Sequence, residues 1–129
     1  MQNPRKIHQF TYPHAFTYGD MRPGHTDREK REIMRKAALR KFPKEVGKAI
    51  QSWAFRIWVE KKGKHPFDVE NVPKLIVDAF CEKQIAKDKS KYTNLGLYKD
   101  DTLDFVKMIE VSGERAKKDF TRVEIFAHK

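Results

Sequence analysis

Residues 67–80 read FDVENVPKLIVDAF, in which two alternating carboxylates precede a short amphipathic helix. Asp68 and Glu70 are two residues apart, so in extended backbone their side chains leave the same face and can bind one hard cation. Asn71 is a favourable N-cap, and Pro73 is tolerated because the amides of the first helical turn have no intrahelical partner. The stretch therefore predicts an acidic pair that leads directly into a helix.

The predicted helix has one apolar face and one polar face. The apolar positions recur at helical spacing and are Val72, Leu75, Ile76, Ala79 and Phe80. Asn71, Lys74 and Asp78 fall together on the other face, which we expect to be directed at the acidic pair. Lys74 lies in the first turn, where the helix dipole disfavours a cation, so a nearby carboxylate or phosphate would explain its position.

A second acidic pair, Asp100 and Asp101, stands just before an apolar run that predicts a strand. This pair could supply a third ligand for the cation. Carboxylates from Asp68, Glu70 and Asp101 would suit Mg²⁺ or Mn²⁺, which take oxygen ligands and keep waters that phosphate oxygens can replace. The alternative interpretation is that these acids neutralise neighbouring basic groups in a chain with 28 lysines and arginines.

The acidic segments resemble those of the RusA-like Holliday-junction resolvases, which show a D-x-D-N-x-x-K-x-x-x-D-A-L segment followed by D-D and a strand. The matching positions here are Asp68-Val69-Glu70-Asn71, then Lys74, then Asp78-Ala79-Phe80, then Asp100-Asp101. Glu70 replaces the second Asp of the pattern, Phe80 replaces its usual Leu, and the segment between Asp78 and Asp101 is longer than in the family. The resemblance covers roughly the C-terminal half of the chain.

The resemblance implies a metal-dependent endodeoxyribonuclease that cleaves branched DNA at four-way junctions, with Mg²⁺ or Mn²⁺ as cofactor. The site positions that it implies are Asp68, Glu70 and Asp101 as metal ligands, Lys74 as the essential base or phosphate contact, and Asp78 and Asp100 as supporting groups. It also implies a homodimer, because a four-way junction has two-fold symmetry and two sites would make paired incisions. The fold expected is α+β, with a mixed sheet of about four or five strands and two main helices in a single RusA-like nuclease domain, residues 1–129.

The composition of the chain supports a nucleic-acid partner. Its 129 residues are sufficient for one domain, and a formal net charge of +10 with a pI near 9.7 would attract a polyanion before any specific contact formed. The net charge alone indicates a class of partner but does not indicate an activity. The alternative to a nuclease is therefore a noncatalytic basic DNA- or RNA-binding protein that keeps the fold, and a third, weaker possibility is a structural assembly protein.

The single cysteine and the hydropathy of the chain indicate a cytoplasmic protein. Cys81 cannot form an intrachain disulfide, and it follows the apolar stripe of the predicted helix, so we expect a semi-buried thiol without a catalytic role. No apolar run approaches the ~18 residues of a membrane span, and the N-terminus lacks the apolar core of a signal peptide. We therefore expect no membrane association.

A capping box formed by Thr26 and Glu29 predicts a helix over residues 27–41. Arg28, Arg31 and Arg35 share one face of this helix. That face is expected to be either solvated or in contact with phosphate, and the sequence does not choose between the two.

Alternating patterns predict four strands, over residues 6–12, 53–59, 104–111 and 120–126. The third has apolar residues on both faces, which is typical of a central strand. A charged turn at 113–119 and the even spacing of the last two strands predict that they form a hairpin.

The remaining segments are predicted to be connections. Residues 14–25 are expected to form an ordered loop, and residues 44–47 a connector after the first helix. The basic turn at 61–66 could be a simple exposed turn or a phosphate contact beside the site. Residues 81–94 are expected to be a helix end followed by an exposed insertion.

Overall fold

The computed structural model describes residues 4–17, 26–44, 50 and 52–128, and it shows an α+β fold. The strands of its four-stranded mixed sheet are β1 Arg5–Tyr12, β2 Ser52–Lys62, β3 Val106–Ala116 and β4 Phe120–His128. The helices are α1 Asp27–Leu39, α2 Val72–Ala79 and α3 Glu82–Lys87, with 3-10 turns at Val69–Asn71 and Thr93–Leu95. The predicted fold class, a mixed sheet with two main helices, is confirmed.

The core lies between the sheet and the helices. In β2, Phe55, Ile57 and Val59 alternate inward and are almost completely buried, as the period-2 pattern predicts. The ring of Phe80, at the end of α2, lies 6.2 Å from that of Phe55 and 5.7 Å from that of Phe10 in β1. One aromatic side chain therefore joins the C-terminal end of α2 to two strands.

The strand order is β1-β4-β2-β3, so the predicted hairpin between the last two strands is wrong. β4 lies between β1 and β2 and is antiparallel to both, whereas β3 runs parallel to β2. Parallel neighbours need a crossover connection, and the segment that carries α2 and α3 supplies it. The site predicted from the sequence therefore belongs to the crossover between β2 and β3.

β3 is an edge strand, and the prediction that it is central is also wrong. Most of its side chains are exposed, including Met108 and Ile109 at 41% and 44%. The strand also continues through the predicted turn as far as Ala116. Gly113 makes this possible, because a Cβ at that position would lie 2.3 Å from the carbonyl oxygen of Val59 in β2.

The chain then crosses the end of β2 in three residues, 117–119. Asp119 holds this crossing in place: its carboxylate accepts a hydrogen bond of 2.7 Å from the backbone amide of Lys62 and pairs with the ammonium of Lys61 at 3.1 Å. The short connection is therefore tied to the strand that it passes.

Helix α1 begins with the predicted capping box and ends at Leu39, two residues before the predicted end. Arg31 and Arg35 are neither solvated nor open to phosphate, which differs from both expectations for the arginine face. Both side chains are buried and bind the carboxylate of Asp88. Arg28 remains exposed, and it donates to the backbone carbonyl of Asp88.

Residues 81–94 are not an exposed insertion, because they contain a helix, a 3-10 turn and buried side chains. Cys81 and Ile85 belong to the core, and Asp88 and Ser90 are also buried. The low apolar content of this segment misled the prediction, since much of its anchoring comes from charged groups.

Two predicted connections lie largely outside the described residues. Residues 14–17 of the predicted loop are described and have no regular secondary structure, while 18–25 lie outside the described part. Of the connector at 44–47, only residue 44 is described. Across the helices that are described, none has the length and apolar character to cross a membrane.

Candidate active site

Lys74 stands at the centre of a cluster of charged side chains at the start of α2. The helix begins at Val72 with Asn71 at the N-cap position and Pro73 in the first turn, as predicted, but the side chain of Asn71 makes no capping hydrogen bond. The ammonium of Lys74 pairs with the carboxylate of Asp78 at 3.3 Å, one turn further along the helix, and with that of Asp101. The anion expected beside Lys74 is therefore carboxylate, supplied from two segments.

The backbone around Tyr98 carries Asp101 to this position. The amide of Leu97 donates to the carbonyl of Phe80 at 2.9 Å, and the amide of Glu82 donates to the carbonyl of Tyr98 at 2.8 Å. The buried hydroxyl of Tyr98 donates to the carbonyl of Val77 in α2. These bonds fix the segment before Asp101 along the end of α2.

The charges in this cluster shift one another's pKa values. The hydrogen bond from Lys74 lowers the pKa of Asp101, and the same bond raises the pKa of Lys74. Burial raises the pKa of Asp78, although the neighbouring ammonium opposes that effect. Lys74 is therefore charged and lies between one carboxylate of lowered pKa and one that is partly desolvated.

The cluster opens into a cavity of about 270 Å³. The residues that line it are Lys74, Asp78, Cys81, Lys83, Gln84, Lys87, Asp100 and Asp101. Asp100 pairs with Lys83 at 2.8 Å on the α3 side. Both acids of the second pair therefore face the cavity, each bound to a different lysine.

Asp68 has extended backbone as predicted, but Glu70 lies in a 3-10 turn and not in a strand. The carboxylate of Asp68 accepts a hydrogen bond of 3.1 Å from the amide of Glu70, which caps a 3-10 turn at Val69–Asn71. The side chain of Asn71 donates to the same carboxylate at 3.5 Å. The turn leaves Asp68 and Glu70 exposed on the segment next to α2, outside the set of residues that line the cavity.

The donor chemistry of this region fits a hard divalent cation. Its candidate donors are carboxylates, and burial raises the pKa of Cys81, so the thiol stays protonated and is a poor ligand. Among the described residues, no group of three or more His, Cys, Asp or Glu side chains is already arranged around one metal position. Asp101 is in the cavity, while the other two expected ligands, Asp68 and Glu70, lie on the adjacent turn.

Several residues of the basic turn at 61–66 make contacts within the protein. The ammonium of Lys61 pairs with Asp119 and lies 5.4 Å from the ring centroid of Phe67. The guanidinium of Arg115 in β3 donates to the carbonyls of Gly63 and His65 at 3.0 and 2.6 Å. These contacts hold the turn against the sheet edge, and they leave Lys62 and Lys64 exposed.

Sequence reasoning missed the part of the site that comes from α3. Lys83 and Lys87 are four residues apart in a segment that we interpreted as an insertion, and both line the cavity. The i, i+4 spacing of two lysines was the available signal. Comparison with protein-family models and with curated proteins identifies no match for this chain.

Proposed function

We propose that the protein is a metal-dependent endodeoxyribonuclease that hydrolyses phosphodiester bonds in branched DNA, with four-way junctions as the substrate class. The observation that carries the proposal is the contact of Lys74 with Asp101 beside Asp78. Lys74 and Asp78 of the first part of the pattern and the D-D of its second part are far apart in sequence and line one cavity. Asp68 and Glu70 lie on the turn next to it.

In this proposal Asp68, Glu70 and Asp101 hold Mg²⁺ or Mn²⁺. The cation, when bound, lowers the pKa of a coordinated water and offsets the charge that develops on the scissile phosphate. Lys74 donates to a phosphate oxygen. Asp78 keeps the ammonium charged and directed into the cavity, because its carboxylate lies 3.3 Å away on the same helix.

The net charge of +10 supplies the general affinity for DNA, which should fall as salt rises. We propose a homodimer, since two sites related by two-fold symmetry would cut both strands of a symmetrical junction. We assign the protein to the cytoplasm, where its single cysteine would remain reduced.

The second candidate function is a noncatalytic basic DNA- or RNA-binding protein. One observation favours it: Asp100 and Asp101 are each paired with a lysine, so that the cluster also makes sense as charge neutralisation. In this alternative the basic surface is kept and no cation is activated. The two proposals differ in whether DNA is cut.

The test is cleavage of a synthetic four-way junction by the full chain, with Mg²⁺, with Mn²⁺ and with excess chelator. We expect cleavage with either cation and none in chelator, because free carboxylates do not activate water at neutral pH as a bound cation does. A linear duplex of the same sequence is the control for structure selectivity. Unchanged cleavage in chelator would rule out the metal mechanism, and tight junction binding without cleavage would favour the noncatalytic alternative.

A further inference from the structure

We propose that α3 is a phosphate-binding helix, on which Lys83 and Lys87 contact the DNA strand next to the scissile phosphate. The proposal rests on the proposed nuclease function, and it names the residues that position its substrate. Both lysines line the same cavity as Lys74 and Asp101. They therefore lie beside the proposed chemistry and not on a remote surface.

The geometry of α3 suits a run of phosphates. Lys83 and Lys87 are four residues apart, so they lie on the same side of the helix, separated by a rise of about 6 Å. A DNA strand carries one phosphate for each ~3.4 Å of duplex axis. Two flexible ammonium groups at this separation can contact phosphates on one strand while Lys74 contacts the reacting one.

The helix is held rigidly, although it has only six residues. At its C-terminal end Asp88 accepts two hydrogen bonds from the guanidinium of Arg31, at 2.7 and 2.8 Å, and one from Arg35 at 2.9 Å. Arg28 donates to the carbonyl of the same residue at 2.8 Å. Three arginines of α1 therefore fix the end of α3, so its exposed face has a defined position relative to the cavity.

The two lysines differ in their present partners. The side chain of Lys83 is 66% exposed, and its ammonium pairs with Asp100. Lys87 is exposed at the last turn, and no ion pair links it to an acid within the described part of the chain. Lys87 is therefore a cation at the cavity that none of the described acids neutralises. Lys83 can exchange the exposed carboxylate of Asp100 for a phosphate oxygen.

A phosphodiester is the ligand that fits this arrangement best. Lys83 and Lys87 of α3 supply ammonium groups to the cavity, and Asp78, Asp100 and Asp101 supply carboxylates to the same lining. One phosphate of a DNA strand can lie near the carboxylates, with a bound cation shared between them. The neighbouring phosphates of the same strand can then contact the lysines. Each contact with a lysine would release a counterion, which makes the salt dependence of binding the direct readout.

The experiment measures junction affinity without metal across a salt series for the parent, for Lys87→Gln and for the double variant Lys83→Gln with Lys87→Gln. We expect the negative slope of log K against log salt to become less steep, by about 1 for the single variant and about 2 for the double variant. Lys118→Gln, an exposed lysine outside the cavity lining, is the matched control and should keep the parental slope. Lys87→Arg should also keep it.

Cleavage measurements with Mg²⁺ separate positioning from chemistry. The double variant should show a raised KM for the junction with kcat within about two-fold of the parent, because substrate binding and not the reacting groups has changed. If the parent cuts DNA and the double variant keeps the salt slope of the parent, the role of α3 is wrong and the nuclease proposal stands. A parent that neither binds nor cuts junctions would overturn both.

Discussion

The ammonium of Lys74 contacts the carboxylate of Asp101, which lies 27 positions further along the chain. Lys74 precedes α3 in the sequence and Asp101 follows it, so their contact depends on the way the crossover segment folds back along α2. Asp78 contacts the same ammonium from within α2. The two ion pairs of Lys74 therefore require α2 and the segment around Asp101 to be in place together.

Neutral substitutions of the proposed ligands should separate cutting from binding. Asp68→Asn, Glu70→Gln and Asp101→Asn keep side-chain size and remove the charge that holds a cation, so each should lower the cleavage rate by about 100-fold or more. Junction binding without metal should persist or tighten at low salt, because each change removes one repulsion from phosphate. Asp104→Asn, an exposed acid outside the cavity lining, should behave as the parent does in both measurements.

Lys74→Ala should differ from the carboxylate variants in the same assays. It should lose cleavage and also bind the junction slightly more weakly, because it removes a donor to phosphate and leaves Asp78 and Asp101 less compensated. Parental cutting rates in all three carboxylate variants would show that the ligand assignment is wrong.

The pKa values of the two acids beside Lys74 should respond to its removal. In Lys74→Met the pKa of Asp78, which burial already raises, should rise further, since the ammonium that opposed the shift is gone. The pKa of Asp101 should rise as well, because the hydrogen bond from Lys74 is what lowers it. Carboxyl carbon chemical shifts followed by NMR during a metal-free pH titration measure both values, with Lys118→Met as the control. An unmoved pKa at Asp101 would contradict the contact.

Asp88→Asn should be strongly destabilising. The substitution removes the carboxylate that both buried arginines share, which leaves Arg31 without an ion-pair partner among the described residues and Arg35 with only Glu32. Breaking a buried pair in this way typically costs about 3–5 kcal/mol of unfolding free energy. Urea denaturation followed by circular dichroism measures the loss. The exposed change Asp104→Asn should stay within about 0.5 kcal/mol of the parent. A comparably small effect at Asp88 would mean that the arginines do not depend on this carboxylate.

The same ion pairs predict an acid-dependent loss of stability. Burial alone would raise the pKa of Asp88, but the hydrogen bonds from Arg31, Gln84 and Arg35 outweigh it and lower the pKa to about 2. In the unfolded chain the pKa should be about 3.9. The folded state therefore binds this proton less readily, so the stabilisation is fully present above about pH 5 and is lost as the pH falls through 4 towards 2. In Asp88→Asn this part of the acid dependence should disappear.

The sequence predicted those elements whose signals are local. The alternation in β2, the capping box of α1 and the apolar face of α2 each involve neighbours within a few residues, and all three elements form as expected. The position of β3 was predicted wrongly, because apolar residues on both faces of a strand do not distinguish the centre of a sheet from an edge. Pairing order depends on distant partners, which no local period encodes.

The candidate site follows the same division. The shared face of Lys74 and Asp78 was predicted from helical spacing, and the pairing is present at 3.3 Å. The 3-10 turn that contains Glu70 was not predicted; the carboxylate of Asp68 accepts a hydrogen bond from the amide of Glu70 and so favours a turn over a strand. The burial of Arg31 and Arg35 depends on one acid 57 and 53 positions away, and a solvated arginine face has the same sequence pattern.

The parallel pairing of β2 with β3 has a consequence for the order of folding. Trp53 lies beside Val106, so everything from α2 to Asp101 is contained in one long loop that the two strands close. The entropy of closing that loop must be overcome before the distant contacts stabilise it, which slows the step. The contact between Lys74 and Asp101 spans 27 positions and lies inside this loop, so it can form before the two strands pair. Pairing of β3 with β2 is therefore the late step of folding, and the charged cluster around Lys74 can assemble before it.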